Sequence, residues 1–131
     1  MVLGLDYGSK RIGVAAGDVG VGLARPVVTI ATADWTTELP RLTEEHGADR
    51  LVIGLPRGLD GQETAQTALA RRFAAEAGAA TGLPVTLQDE AGTSELATER
   101  LGKQAVDKAK IDAEAAAIIL QDYLDTTREV A

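Results

Sequence analysis

The sequence predicts an α/β fold: a five-stranded mixed sheet with helices on both faces. Two apolar segments, residues 2–6 and 11–16, lie close enough in the chain to form an antiparallel hairpin. Residues 51–55 are a continuous apolar run that Pro56 ends, a pattern typical of a strand covered on both faces and paired in parallel. Helix and strand patterns then alternate. A three-stranded antiparallel meander followed by β-α-β-α units is therefore expected.

Proline and a capping residue define the next two elements. Residues 27–31 follow Pro26 and predict a third strand. Asp34 is a candidate N-cap for a helix that runs towards Gly47. Pro40 lies inside this helix and is expected to shorten, kink or delay it, because proline lacks a backbone N–H.

The second half of the chain alternates helix and strand. Apolar residues recur at helical spacing through residues 62–80 and predict a helix, and residues 84–87 predict the following strand. A helix at 93–101, a polar and mobile segment at 103–110 and a last helix at 111–124 follow. No internal repeat or low-complexity tract interrupts the chain, so all 131 residues are expected to form one domain.

Composition excludes several classes of function. The absence of cysteine excludes disulfide scaffolds, thiolate nucleophiles and sulfur-based metal sites, and His46 is the only histidine. No apolar run approaches the roughly 20 residues of a membrane span, and the N-terminus shows no basic leader, so a cytosolic location without membrane association is expected. The net charge of −7 argues against charge-driven nucleic-acid binding, so any such contact must be local or metal-assisted.

Three acidic residues occupy unfavourable positions. Asp6 ends an otherwise apolar strand, where burial of its charge is costly. Glu90 follows Asp89 at the carboxyl end of a strand, the edge where open α/β sheets bind ligands, and alternation alone does not choose between the two. Asp112 lies on the buried stripe of the last helix, because apolar residues follow it at helical spacing.

Each carboxylate also has a purely structural alternative. For Asp6 it is an Asx turn leading into Gly8, for Glu90 an acidic turn that caps the next helix, and for Asp112 the N-cap of the last helix. If the three converge, a divalent cation is the simplest relief of their repulsion. An all-oxygen set suits one or two Mg²⁺ or Mn²⁺ ions, which support phosphodiester cleavage.

Several segments of the chain carry a recognisable pattern. They are Leu3-Gly-Leu-Asp-Tyr-Gly-Ser-Lys-Arg-Ile-Gly-Val-Ala, Val52-Ile-Gly-Leu-Pro, Asp60-Gly, Asp89-Glu90 with Thr93-Ser94, and Lys110-Ile-Asp-Ala-Glu-Ala-Ala running to Leu120-Gln-Asp-Tyr-Leu. In this order, over nearly the whole chain, they resemble the YqgF/RuvX family of bacterial proteins, described as Holliday junction resolvases and ribosomal RNA precursor nucleases. The resemblance implies a ribonuclease H-like fold and a metal-dependent nuclease whose acidic triad falls on Asp6, Glu90 and Asp112.

The resemblance also implies the substrates and a homodimer, and the chain departs from the family pattern at one place. It implies branched DNA or the 5′ end of precursor 16S ribosomal RNA as substrate, and paired cutting of a four-way junction further implies a homodimer. Many members carry arginine and a larger apolar residue where this chain has Ala91 and Gly92, which puts substrate handling in question. That departure and the acidic surface favour an alternative, a weakly active or inactive module that assists ribosome maturation or transcription.

Asp6-Tyr-Gly-Ser also resembles the phosphate-binding turn of the sugar kinase and actin superfamily. That superfamily clamps ATP between two duplicated domains, and a single domain without a repeat lacks the second one.

Six basic residues are candidate nucleic-acid contacts: Lys10, Arg11, Arg57, Lys103, Lys108 and Lys110. The last three are opposed only by Asp107, in a segment expected either to close over a phosphate backbone or to be an ordinary solvated loop. Arg71 and Arg72 are expected on an exposed helix face, and His46 at the surface near a helix end.

Overall fold

The computed structural model describes residues 1–90 and 107–130, with side chains as far as residue 127. The strands are β1 Val2–Tyr7, β2 Arg11–Asp18, β3 Leu23–Ala31, β4 Arg50–Pro56 and β5 Val85–Glu90. The helices are α1 Trp35–His46, which a 3₁₀ turn at Thr32–Asp34 precedes, α2 Ala65–Thr81 and α3 Lys108–Val130. The order and type of these elements confirm the prediction, while the helix expected at 93–101 lies outside the described residues.

The five strands form one mixed sheet in the order β3-β2-β1-β4-β5. β1 pairs with β2 and β2 with β3 in antiparallel fashion, whereas β4 is parallel to both β1 and β5. The expected meander and β-α-β-α units are thus confirmed. In the described part of the chain, no helix combines the length and the apolar character needed to cross a membrane.

The structure differs from the expectation at Pro26 and at Pro40. β3 begins at Leu23, so Pro26 lies inside it; this is tolerated because β3 is an edge strand and its register with β2 shifts beside Pro26. The helix α1 also runs through Pro40 without ending, and Gly47 terminates it in the left-handed conformation, with a φ of 62°. Asp34 stands at the N-cap of α1 but makes no capping hydrogen bond.

The sheet separates two apolar layers. On one face, Leu3 and Leu5 of β1 pack with residues of α1 and α2 such as Leu39 and Phe73. On the other face, Val2 and the rest of a smaller layer pack against α3. Helices therefore cover both faces, as predicted, and the even-numbered positions of β1 face α3.

The helix α3 begins earlier than the sequence predicted. It starts at Lys108, so the expectation of a mobile segment reaching residue 110 is wrong for Lys108 and Lys110. Asp107 explains the early start, because its carboxylate accepts the backbone N–H of Ala109 at 2.9 Å, as a capping residue does. The apolar stripe that guided the prediction begins one turn after this cap.

Glycines in the sheet allow α3 to approach very closely. A Cβ atom added at Gly13 of β2 would lie 1.9 Å from the carbonyl oxygen of Asp112, and one added at Gly4 of β1 would lie 2.7 Å from Cβ of Leu120. Both distances are far shorter than a non-bonded contact permits. The helix backbone therefore rests on the sheet where side chains are absent, and this fixes the position of Asp112.

We predict that Gly13→Ala lowers the free energy of unfolding by about 3 kcal/mol or more, because the new methyl group meets backbone atoms that cannot move independently. Urea denaturation followed by circular dichroism measures the change. Gly20→Ala is the control, since the nearest atom to its added Cβ is a side-chain oxygen of Asp18 at 3.3 Å in an exposed turn. Equal stability of the two variants would contradict the close packing.

Candidate active site

Asp6 and Glu90 lie on the face of the sheet that α3 covers. The register that pairs Leu5 with Ile53 places Asp6 beside Gly54 of β4, and Gly54 in turn pairs with Gln88 of β5. Glu90 lies two residues beyond Gln88 and shares its face. A Cβ atom added at Gly54 would lie 3.0 Å from Oε1 of Glu90, so the Glu90 carboxylate extends over this glycine towards β1.

The β4–β5 register decides which of the adjacent residues Asp89 and Glu90 faces the same side as Asp6. Asp89 points to the opposite face from Glu90, because successive side chains of a strand alternate. There its Oδ1 accepts a hydrogen bond from Nε of Arg57 at 3.2 Å. Of the two, only Glu90 therefore faces the same side as Asp6.

Asp112 reaches the same region from α3. Its backbone lies directly over Gly13, and Gly13 is the residue that pairs with Asp6 across the β1–β2 ladder. Asp112 lies within α3 rather than at its first residue, so the N-cap alternative is excluded. Oδ2 of Asp112 accepts a hydrogen bond of 2.8 Å from Nε of Arg11, which forms a half-buried ion pair.

The electrostatics of Asp6 show that the three carboxylates influence one another. Burial, together with the negative charges of Glu90 and Asp112, raises the pKa of Asp6 from 3.8 to about 8. Asp6 therefore holds a proton at neutral pH when no cation is present. Within residues 1–90 and 107–130, no three carboxylate or imidazole groups are already arranged to hold a metal ion.

A groove of about 470 Å³ opens beside Glu90 at the carboxyl ends of β4 and β5. Its lining is formed by Arg57, Gly58, Leu59, Gly61, Asp89 and Glu90. Because carboxyl ends of parallel strands meet at this edge, the groove lies where ligands bind in open α/β sheets.

The basic residues proposed from the sequence fall into three groups. Arg11 and Arg57 each pair with a carboxylate, those of Asp112 and Asp89. Lys10 is exposed between β1 and β2, and Lys108 and Lys110 are exposed in the first turn of α3. Lys103, like Ala91 and Gly92, lies outside the described residues.

The side chains expected to have only structural roles occupy the surface of the helices. Arg71 bonds to Glu63 at 2.7 Å and Arg72 to Glu76 at 3.2 Å, both exposed. His46 is the last residue of α1 and is partly exposed.

Sequence reasoning missed the glycines that bring the site together. Gly4, Gly13 and Gly54 all lie inside apolar strands, where glycine is unfavourable because it has no side chain to pack. That placement was a readable signal of close backbone approach. It also did not single out Leu59, an exposed apolar residue that lines the groove beside Glu90.

The chain is similar in sequence to a known family. A family model described as RuvX, Holliday junction resolvase, matches residues 1–126. Relatives from Salmonella typhi and Salmonella newport (strain SL254), each named "Putative pre-16S rRNA nuclease", are 41% identical over 132 residues. Each match covers 95% of this chain and 95% of the relative.

The fold is similar to that of two solved structures. Thermus thermophilus RuvC in complex with a Holliday junction substrate aligns with a TM-score of 0.59 and 18% identity, over 99% of this chain and 96% of that one. A second structure of Thermus thermophilus RuvC gives a TM-score of 0.58 and 17% identity, over 98% and 96% of the two chains. At this level of identity the likeness concerns the fold, and it confirms the ribonuclease H-like architecture.

We predict that the metal-free protein becomes less stable as the pH rises from about 4 to 8. Between the unfolded pKa of 3.8 and the folded pKa of about 8, the folded state retains a proton on Asp6 that the unfolded state loses. The free energy of unfolding then decreases by up to about 1.4 kcal/mol per pH unit. Asp6→Asn removes this component and stabilises the protein at pH 8 by a few kcal/mol.

Urea denaturation in EDTA at a series of pH values measures the effect. Asp34→Asn is the matched control, because Asp34 is exposed and makes no capping hydrogen bond. It is expected to keep the slope of the unaltered protein. An Asp6→Asn variant with the same slope would refute the electrostatic coupling.

Proposed function

Because this chain belongs to the RuvX family of Holliday junction resolvases, whose members are nucleases, we propose that it cleaves phosphodiester bonds with a divalent cation held by Asp6, Glu90 and Asp112. The observation that carries the proposal is that Asp6 is buried beside Glu90 and Asp112, so that burial and then the negative charges of both raise its pKa to about 8. The part of this shift that comes from the charges of Glu90 and Asp112 also favours a cation near the three carboxylates.

The donor set fits a hard divalent ion. All three side chains offer carboxylate oxygens, and Mg²⁺ and Mn²⁺ prefer such ligands while they retain waters and accept phosphate oxygens. One or two such ions would activate water and stabilise the leaving oxygen. Small side-chain movements are required, since the carboxylates are not already arranged as a metal-binding set in the described residues.

The protein fixes these donors by different means. Asp6 belongs to a central strand, paired on the β2 side by Gly13, so its position is set by the sheet. Asp112 is oriented by Arg11, whose Nε donates a hydrogen bond to its Oδ2. The Arg11 charge also offsets part of the repulsion among the three acidic groups.

Phosphate contacts are proposed for the basic residues Lys10, Arg11, Arg57, Lys103, Lys108 and Lys110. In the described part of the chain, Lys10, Lys108 and Lys110 are exposed and form no ion pair, so they can meet phosphate without breaking an internal contact. To contact a phosphate, Arg11 and Arg57 must either bind it alongside their carboxylate partners or release those partners. A few local contacts of this kind fit a chain whose net charge is −7.

The substrate that we propose is branched DNA or precursor ribosomal RNA. Support comes from relatives named as pre-16S rRNA nucleases and from the fold shared with a junction-bound RuvC. Paired incision of a four-way junction requires two active sites, so activity as a resolvase implies a homodimer. A monomeric protein would instead process single-stranded or RNA substrates.

We predict that Asp6→Asn lowers the rate of Mn²⁺- or Mg²⁺-dependent cleavage on the order of 10³-fold or more, because it removes a central carboxylate of the site. Glu90→Gln and Asp112→Asn are expected to act in the same direction. Asp34→Asn is again the control and retains the activity. Unchanged cleavage by Asp6→Asn would disprove the assignment.

Calorimetry that finds no cation binding at millimolar metal, together with tight binding of a protein partner, would favour the alternative of an inactive binding module.

A panel of substrates tests the substrate class. The four-way junction, single-stranded DNA and precursor RNA are each incubated with Mn²⁺, beside Asp6→Asn, while light scattering gives the mass in solution. A dimer is expected to make paired cuts in the junction, and every activity is expected to be lost in Asp6→Asn. Activity that survives in this variant would contradict the assignment of Asp6 to the site, and paired cuts by a monomer would contradict the link between dimer and resolvase.

A further inference from the structure

Leu59 is an apolar side chain held in water at the edge of the groove. It is fully exposed, more than any other large apolar side chain in the described part of the chain. Single exposed apolar residues are common on protein surfaces and need no explanation by themselves. Leu59 is distinguished by the hydrogen-bonded loop that carries it and by the groove that it lines together with Glu90.

Internal hydrogen bonds fix the loop that carries Leu59. The N–H of Gly58 donates to the carbonyl oxygen of Gln62, and that of Gly61 to the carbonyl oxygen of Gly58, each at 2.9 Å. The N–H of Asp60 donates to Oε1 of Gln62 at 2.9 Å, and Gly61 adopts a φ of 78° that favours glycine. The loop is thus closed on itself by hydrogen bonds on both sides of Leu59, whose side chain is exposed.

Further contacts tie the loop to the candidate active site. Arg57, at its start, bonds to Asp89, the neighbour of Glu90 in β5. At the end of β4, the buried hydroxyl of Thr67 donates to the carbonyl oxygen of Pro56. Leu59 and Glu90 line the same groove. The loop therefore presents this apolar side chain in the groove that Glu90 also lines.

We propose that Leu59 contacts the face of a nucleobase next to the phosphate that is cleaved, and so selects nucleotides that are unpaired or unstacked. The proposal rests on the nuclease function proposed above. A nucleic acid presents phosphates and base edges, which are polar, and base faces, which are apolar. The base faces are the largest apolar surface that Leu59 can contact, and a regular duplex hides them by stacking. Branch points and single-stranded ends expose them.

The test compares Leu59→Ser with Leu69→Ser. Leu69 is the matched control, because it is also exposed, at 41%, but lies on α2 and lines a different pocket. The ratio of kcat/KM for a substrate with unpaired nucleotides at the cut to that for the paired duplex is measured for each variant. Leu59→Ser is expected to lower this ratio at least roughly tenfold, Leu59→Met to retain it, and Leu69→Ser to leave it unchanged.

Binding is measured separately from cleavage. In the Asp6→Asn background, fluorescence of 2-aminopurine placed beside the cut site is expected to change on binding, and Leu59→Ser is expected to remove that change. Equal ratios for Leu59→Ser and the unaltered protein, with cleavage still lost in Asp6→Asn, would overturn the role of Leu59 and leave the nuclease function standing. If Asp6→Asn cleaves normally, the nuclease site itself is misassigned.

Discussion

The close contact between α3 and the sheet is the constraint on which the site depends. The helix rests on Gly13 and Gly4, and its N-terminal turn is further held because the hydroxyl of Thr29 in β3 donates to the carbonyl oxygen of Ala109. A larger residue at either glycine would lift the helix and carry Asp112 away from Asp6. The convergence of the carboxylates is thus a consequence of packing, since nothing in the interaction among three negative charges brings them together.

That convergence has a cost in stability. Burial and two neighbouring negative charges disfavour the ionised form of Asp6, which is why its pKa rises to about 8. The apolar layers on both faces of the sheet supply the stability that offsets this unfavourable placement. The Arg11–Asp112 ion pair offsets part of the repulsion. Asp6 thus breaks the general rule that a buried strand position holds an apolar residue.

Strand alternation gives the two acidic residues at the end of β5 separate roles. Glu90 faces α3 and the other carboxylates, whereas Asp89 faces the opposite side and holds Arg57. The loop that presents Leu59 is thereby attached to the same strand as Glu90. One strand end therefore positions both the acidic site and the wall of the groove beside it.

The sequence by itself determined the order and type of the described elements, because hydrophobic period, glycine and proline act over short stretches of chain. It also marked Asp6 and Asp112, whose positions break local rules, while the choice of Glu90 over Asp89 required either a family resemblance or the β4–β5 register. The predicted start of α3 was wrong, because its cap at Asp107 precedes the apolar stripe. The predicted start of β3 was also wrong, because an edge strand tolerates Pro26.

Only the tertiary structure decided which side chains meet. The contact of Gly13 with Asp112 and the bond between Arg11 and Asp112 join residues about a hundred positions apart in the chain, and the pairing of Gly13 with Asp6 brings Asp6 to the same place. Such contacts depend on strand register and on the distance between helix and sheet. Glycines inside apolar strands indicate a close approach, but they do not identify the segment that approaches, because that results from packing all the layers at once.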